Sequence, residues 1–464
     1  MDWKMIIEPY KADLLTDLKG LLRIASVKDV STASEQAPFG QGIKEALHYM
    51  LALGERDGFR TKNVDGYAAH LEIGAGKKVL GILSHLDVVP ADSSQWDTDP
   101  FEPVIRNGKL YARGSLDDKG PALVAYYAIK IIKELGFTFH QRIRLIYGTD
   151  EETDWQDMDY YFKQEDMPDF GIVPDGIFPM IYAEKGVASI EIEKQGFNSQ
   201  SLLSLTAGSA YNLVADKAEA TILSALHLPP LFHDYLELHA LQGSIKQTDR
   251  HYQLQIMGKT AHAAAPSQGV NAGLHLVHFL KTLDLDQAAL DCLTFVDEYF
   301  YEDTVGQKTQ LAFQNSELGD VTVNTAFLNL SLEKASIGLN LRYPADYPFN
   351  QKYEQLTHLC QRYGYNTRLV SHQKPSQTSL DTPETKLLLE TYRKHTGDQT
   401  PPLAIGGITY GRVFERGITF GPAFLGKPAT LHQPNEYWEL DDLFKALEIY
   451  LDAFYQLATL EGAT

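Results

Sequence analysis

Three apolar runs in the first half of this chain each lead into a histidine or an acid, and helical stretches separate them. Lys78-Val79-Leu80-Gly81-Ile82-Leu83 ends at Ser84-His85, Ile143 to Tyr147 stops at Gly148-Thr149-Asp150, and Phe170 to Val173 stops at Pro174-Asp175. Between the first two, Leu116 to Leu135 reads as a helix, with Pro121 in an early turn and Gly136 just past the end. Strands that alternate with helices predict an α/β domain built on a largely parallel sheet. Polar side chains at the ends of such strands stand where open α/β sheets build their sites.

The rest of the chain is organised around that pattern. From about residue 8 to 60 the pattern is helical, interrupted by the loop VKDVSTASEQAPFGQG. From about 186 to 380 the character changes. Alternating segments such as Ser189-Ile190-Glu191-Ile192-Glu193 and Tyr252-Gln253-Leu254-Gln255-Ile256 predict half-exposed strands, with a helix over Asn271 to Leu283 between others. Helical patterning near Thr385 to His395 and Asp441 to Leu460 then restores the α/β character. The expected division is a first domain over 1–185 and 381–464, with an α+β unit over 186–380 inserted into it. A length of 464 residues agrees with two cores rather than one.

Charge and cysteine usage narrow the function classes. Lys and Arg number 41 against 61 Asp and Glu, a formal net charge of −20, with no basic cluster to attract nucleic-acid phosphates or anionic lipid. Only Cys292 and Cys360 are present. That is too few for a disulfide framework and too widely spaced for a thiolate zinc site, so any metal must rest on histidines and carboxylates. The N-terminal segment MDWKMIIEPYKADLLTDLKGLL carries acids throughout and lacks the basic start and apolar run of a signal peptide. No apolar stretch is long enough to span a membrane. The expected compartment is the cytoplasm.

Five polar clusters carry the chemistry: His85-Leu86-Asp87, Asp117-Asp118, Glu151-Glu152, Asp175 and His432. Two imidazoles with several carboxylates suit zinc or manganese. In an extended segment His85 and Asp87 face the same side, so Asp87 can accept a hydrogen bond from one ring nitrogen while the other binds metal. An HxD tripeptide is also common without any metal. Asp117-Asp118 stands at a helix entrance, where a carboxylate is either an N-cap or a ligand bridging two metals. Three consecutive acids at 150–152 are unfavourable without a nearby cation, unless they form a solvated turn. One glutamate could bind metal while its neighbour serves as a base. His262, among small residues in the middle unit, and Arg342, after the apolar run Ile337 to Leu341, read most simply as structural residues when taken alone.

Together these segments resemble the cocatalytic zinc metallopeptidases related to aminoacylase and carnosinase, and are particularly similar to PepV-type bacterial dipeptidases. The matching pieces, in the family's order, are SHLDVVP, YARGSLDDKGP, GTDEETDW, PDGIFPMIYAEKG, the segment around His262, GGITYGR and LHQPNEYW. The resemblance implies a zinc-peptidase catalytic domain with an inserted lid, and two zinc ions per chain, with manganese or cobalt as substitutes. His85 and Asp175 would bind one ion, Glu152 and His432 the other, and Asp117 would bridge them. Asp87 would orient His85, and Glu151 would be the general base. His262 and Asn212 would belong to the lid and, with Arg342, contact the substrate. A cis peptide is implied at Asp117-Asp118. The loop GGITYGR has Ile408 where many relatives have a third glycine and Gly411 where many have alanine.

The expected activity is hydrolysis of unblocked dipeptides. The nearest rivals are an N-acyl-amino-acid deacylase and a tripeptidase of the same architecture, which the ligand set does not separate. A binding protein with a degenerate site is disfavoured because all five ligands and the base are present. A metal-dependent phosphoesterase acting on nucleic acid is disfavoured by the acidic surface. The inserted unit is roughly twice the length that one compact α+β lid needs, so it could take the place a partner subunit fills in smaller relatives. The expected assembly is a monomer.

Overall fold

The computed structural model describes residues 1–459, so Leu460, the last residue of the expected C-terminal helix, lies outside the described residues. The described chain divides into two compact units, one formed by 1–183, 377–404 and 408–459, the other by 184–376 and 405–407.

The first unit is α/β. The strand Val79–His85 lies between Arg142–Gly148 and Phe170–Val173, parallel to both, and Gly417–Thr419 continues the parallel run beyond Phe170–Val173. The register pairs His85 with Gly148, so the two strands end side by side. The sheet is antiparallel toward its edges. Arg60–Val64 and Ala68–Ile73 form a hairpin that joins Arg142–Gly148, and Ile181–Glu184 meets Gly417–Thr419 on the other side. Three residues, Asp65-Gly66-Tyr67, connect its strands, and the turn centred on Asp65 and Gly66 closes with Tyr67 N–H donating to the Val64 carbonyl at 3.0 Å. Both turn residues have positive φ, 53° and 74°, which matches the right-handed strand twist.

Burial follows from the sequence pattern. Val79–His85 and Phe170–Val173 are buried at every position, as continuous apolar strands covered on both faces must be. The helix Lys119–Glu134 is apolar nearly all round and packs against both Leu440–Thr459 and Lys11–Leu22. Arg60–Val64 is polar and largely exposed, so it lacks the apolar signal of a strand, and the helical pattern expected to about residue 60 ends at Arg56.

The second unit is an eight-stranded antiparallel sheet in the order Gln242–Thr248, His251–Met257, Lys217–Leu223, Leu202–Ala207, Thr322–Leu330, Lys334–Tyr343, Gly186–Gln195, Asn366–Gln373. Tyr252, Leu254 and Ile256 turn inward while their neighbours face outward, the two-residue alternation of a half-covered sheet. The helices Leu228–Leu238, Ala272–Leu280, Gln287–Phe300 and Phe349–Arg362 pack into that core. Cys292 and Cys360 are both buried here and unpaired. No helix among the described residues is long and apolar enough to cross a membrane.

Asp286 ties this unit together. Its side chain caps Gln287–Phe300 through Ala289 N–H at 3.1 Å and accepts from Ser201 N–H, Ser201 Oγ, Ser199 Oγ and Gln200 N–H at 2.6–2.8 Å. Partial burial opposes its ionisation, but these donors hold its pKa below the usual carboxylate range. Asp286→Ala is expected to lower stability by about 1–2 kcal/mol at neutral pH in urea unfolding. A depressed folded-state pKa contributes above the unfolded value of about 3.9 and is lost as pH falls through the folded one, so the gap between the proteins should close in acid.

Candidate metal centre

The strand ends bring the predicted residues of the first unit together. His85 terminates the central parallel strand, Asp175 follows Phe170–Val173 on one side, and the turn after Arg142–Gly148 carries Glu151 and Glu152 on the other. Asp117 enters from the loop before Lys119–Glu134, across a cis peptide to Asp118. His432 comes from a loop between Pro422–Ala423 and Tyr437–Glu439, in a left-handed conformation with φ 61°.

The two oxygens of Asp117 face different imidazoles. Oδ1 lies 3.0 Å from His85 Nε2, and Oδ2 lies 3.0 Å from His432 Nε2. Asp175 Oδ2 stands 3.6 Å from His85 Nε2, and Glu152 Oε2 stands 3.0 Å from His432 Nε2. His85, Asp117 and Asp175 thus form one group that could hold a metal ion, and Asp117, Glu152 and His432 form a second, with Asp117 common to both. Nitrogen and carboxylate donors of this kind fit zinc and its first-row neighbours. The His85 side chain is wholly buried while that of His432 is 53% exposed, so the second group opens to solvent.

The neighbouring acids have distinct tasks. His85 Nδ1 is 2.9 Å from the main-chain carbonyl of Asp87, closer than the 3.5 Å to the Asp87 carboxylate. That carboxylate instead accepts from Glu151 N–H at 3.2 Å and Glu152 N–H at 3.0 Å, fixing the turn that carries both glutamates. Asp118 begins the helix without capping it: its Oδ2 accepts from His85 N–H at 3.0 Å, and its Oδ1 is buried with no protein partner. Asp150 finds its cation in Lys28, 2.7 Å away. Trp155 Nε1–H donates to the Glu151 carbonyl at 2.6 Å.

Protonation follows from this crowding. Burial opposes a charge on His85, but hydrogen bonds to Asp117, Asp175 and Asp87 raise its pKa well above the ordinary value. Hydrogen bonds to Asp117 and Glu152 push His432 up to about 10. Burial, then the neighbouring carboxylates Asp175, Glu152 and Asp117, push Glu151 well above the usual range against the pull of His85. Asp118 rises for the same reasons, burial first and Asp175 next.

In the second unit, Asn212, His262 and Arg342 lie in one neighbourhood. Residues 213 and 262 form a bridge between chain segments, and Ala263 N–H donates to the Asn212 carbonyl at 2.8 Å. Arg342 is buried, with Nη2 3.4 Å from His262 Nε2 and Nε donating to Asn340 Oδ1 at 3.1 Å. Burial and the Arg342 charge both lower the pKa of His262, favouring the neutral ring.

Two supporting acids escaped the sequence reading. Glu436, inside the quoted segment LHQPNEYW, is fully buried against the backbone that leads to Asp117. Asp157 accepts from Thr149 N–H at 2.6 Å and Asp150 N–H at 3.1 Å, shaping the acidic turn from behind. The Glu436 pairing leaves no local signal, since it meets Arg113 across 323 positions, whereas Asp157 lies eight positions after Thr149 and could have been sought as an acid closing that turn.

A metal ligand must be an unprotonated imidazole, so an incoming ion competes with the protons that these carboxylates hold on His85 and His432. Zinc affinity should therefore rise from pH 6 to pH 8, with proton release visible by calorimetry in buffers of different ionisation enthalpy. In the metal-free protein the sign is opposite. The histidine pKa values are raised, so their pairs stabilise the fold fully below about 6.5, and for His432 the benefit is lost as pH rises through about 10.

Comparison with known proteins agrees with this architecture. Residues 81–456 match the family model described as Peptidase family M20/M25/M40. A Staphylococcus aureus (strain bovine RF122 / ET3-1) protein whose name marks it as a proposed dipeptidase is 40% identical over 469 residues, covering 99% of this chain and 100% of its own. Human carnosine dipeptidase 1 superposes with a TM-score of 0.59 at 15% identity, covering 99% of this chain and 98% of that one. Aminoacylhistidine dipeptidase from Vibrio alginolyticus gives 0.59 at 12% identity over 97% of each. At such identities the structural likeness establishes the fold, while the family match spans most of the sequence. The chain belongs to peptidase family M20/M25/M40.

Proposed function

We propose that this peptidase is a two-metal dipeptidase, with His85 and Asp175 holding one ion, Glu152 and His432 the other, and Asp117 shared. The observation that carries the reading is the Asp117 carboxylate, whose two oxygens each lie 3.0 Å from a different imidazole. Full-length similarity to proteins whose names mark them as proposed dipeptidases supports a dipeptide as the substrate.

Divalent ions held there would polarise the scissile carbonyl and lower the pKa of the attacking water, the chemistry that the donor set suits. The chain supplies the proton path. Glu151 adjoins Glu152 in a turn locked by Asp87 and Trp155, so its main chain is held in place while its neighbour would bind metal. In this reading Glu151 takes the water's proton on a carboxylate oxygen and passes it to the departing amine. Burial favours the protonated state that this relay must reach. Neutral His262 would donate to the developing oxyanion, and Arg342 would clamp the substrate carboxylate through its forked guanidinium.

Glu151→Gln keeps the shape but cannot accept a proton, and should lose at least about a hundredfold in turnover with metal content retained. Loss of metal would make Glu151 a ligand instead. Zinc- or manganese-loaded protein should cleave free dipeptides in preference to N-acetylated dipeptides and tripeptides. The reverse preference would favour the deacylase or tripeptidase reading.

The length of the inserted unit, with its continuous eight-stranded sheet, supports a self-sufficient monomer. Mixing inactive His262→Ala protein with inactive Glu151→Gln protein should restore no activity. Recovery would mean that active sites are shared between chains.

A further inference from the structure

We propose that Glu436 is the positioning residue that sets Asp117 against His432, and hence the affinity of the second metal group. The inference rests on the two-metal reading above. Glu436 is fully buried, and its carboxylate is the common acceptor for the segment that ends at Asp117. Oε1 accepts from Leu116 N–H at 2.9 Å, Asp117 N–H at 3.3 Å and Ser115 Oγ at 3.4 Å. Oε2 accepts from Arg113 Nη1 at 2.8 Å and Gly114 N–H at 3.2 Å.

Such an arrangement treats the carboxylate as the anion of a backbone nest. Gly114 permits it, since its φ of 82° is open to glycine and strained for other residues. The nest's anion does not come from its own segment but from the loop that carries His432, four residues earlier. That loop is otherwise held by Gln433 N–H donating to the Thr430 carbonyl at 3.2 Å, Thr430 Oγ1 donating to the Tyr437 carbonyl at 3.2 Å, and Asp97 N–H donating to Asn435 Oδ1 at 2.9 Å. His432 and Asn435 both have left-handed backbone, and the His432 ring is half exposed. The main chain repeats the link, with Ala112 N–H donating to the Glu436 carbonyl at 3.2 Å. One buried anion therefore joins the only two donors of the second group that lie on loops outside the strand-end turns. His85 and Asp175 are placed by the ends of the parallel strands, and Glu152 by the separate turn that Asp87 and Asp157 hold.

Titration of metal-free protein with zinc, with chelator competition, tests the role without reading activity. Wild type should take up two ions. Glu436→Gln keeps the volume but turns an amide N–H₂ toward backbone N–H donors, and should weaken the second binding step at least about tenfold. The first step, which keeps the strand-held donors His85 and Asp175 but also uses Asp117, should weaken clearly less than the second, and the amides of 114–117 should exchange faster with solvent. Glu436→Asp, which keeps the charge but draws it back by one methylene, should show the same selective loss and serves if the glutamine variant fails to fold. Unchanged steps in a folded variant, or equal weakening of both, would overturn the role of Glu436 alone. Fewer than two ions on wild type would instead remove the two-metal reading beneath it.

Discussion

The centre of this protein depends on one carboxylate shared between two imidazoles. Asp117 faces His85 with one oxygen and His432 with the other, and those histidines come from opposite kinds of structure. His85 ends a wholly buried strand, whereas His432 stands in an exposed loop. Holding a charge in that position is unfavourable in itself. Burial works against ionised Asp117, and hydrogen bonds from His432 and His85 keep its pKa below the usual range. The surrounding acids, Glu151, Glu152, Asp175 and Asp118, are all pushed upward by burial and by one another. Two divalent cations would resolve that imbalance, while two protonated histidines offset it only in part.

Around this cluster the backbone is tied down by acids that do not touch the donor nitrogens. Asp87 collects the N–H groups of Glu151 and Glu152, Asp157 those of Thr149 and Asp150, and Glu436 those of Gly114, Leu116 and Asp117. Each of the turns carrying Asp117 or the two glutamates thus closes on a carboxylate from elsewhere in the chain. This division explains why the region is so rich in acid. Some carboxylates are candidates to bind metal, and others organise peptide N–H groups so that the first set points inward.

The parts legible in the sequence are those written locally. Apolar runs ending at His85 and Asp175 mark strand ends, and alternation at Tyr252 to Ile256 marks a half-covered strand. The polar strand Arg60–Val64 was not legible, because most of its side chains face solvent and give no apolar signal. The sheet is consequently less parallel than its buried strands suggest, with antiparallel strands toward both edges. Asp87 was legible as a partner of His85 by spacing alone. Spacing does not reveal that its main-chain carbonyl makes the closer contact while its carboxylate turns to the 151–152 amides. The acid before the helix resembled an N-cap, yet neither Asp117 nor Asp118 caps it, because both carboxylates face histidine groups instead. Glu436 was hidden because its partners lie more than three hundred positions away.

Anomalous diffraction from crystals grown with zinc tests the central claim most directly. The account predicts two zinc peaks, one on each side of the Asp117 carboxylate, the first beside His85 and Asp175 and the second beside His432 and Glu152. A single peak, or a pair that leaves Asp117 out of contact with either ion, would contradict it.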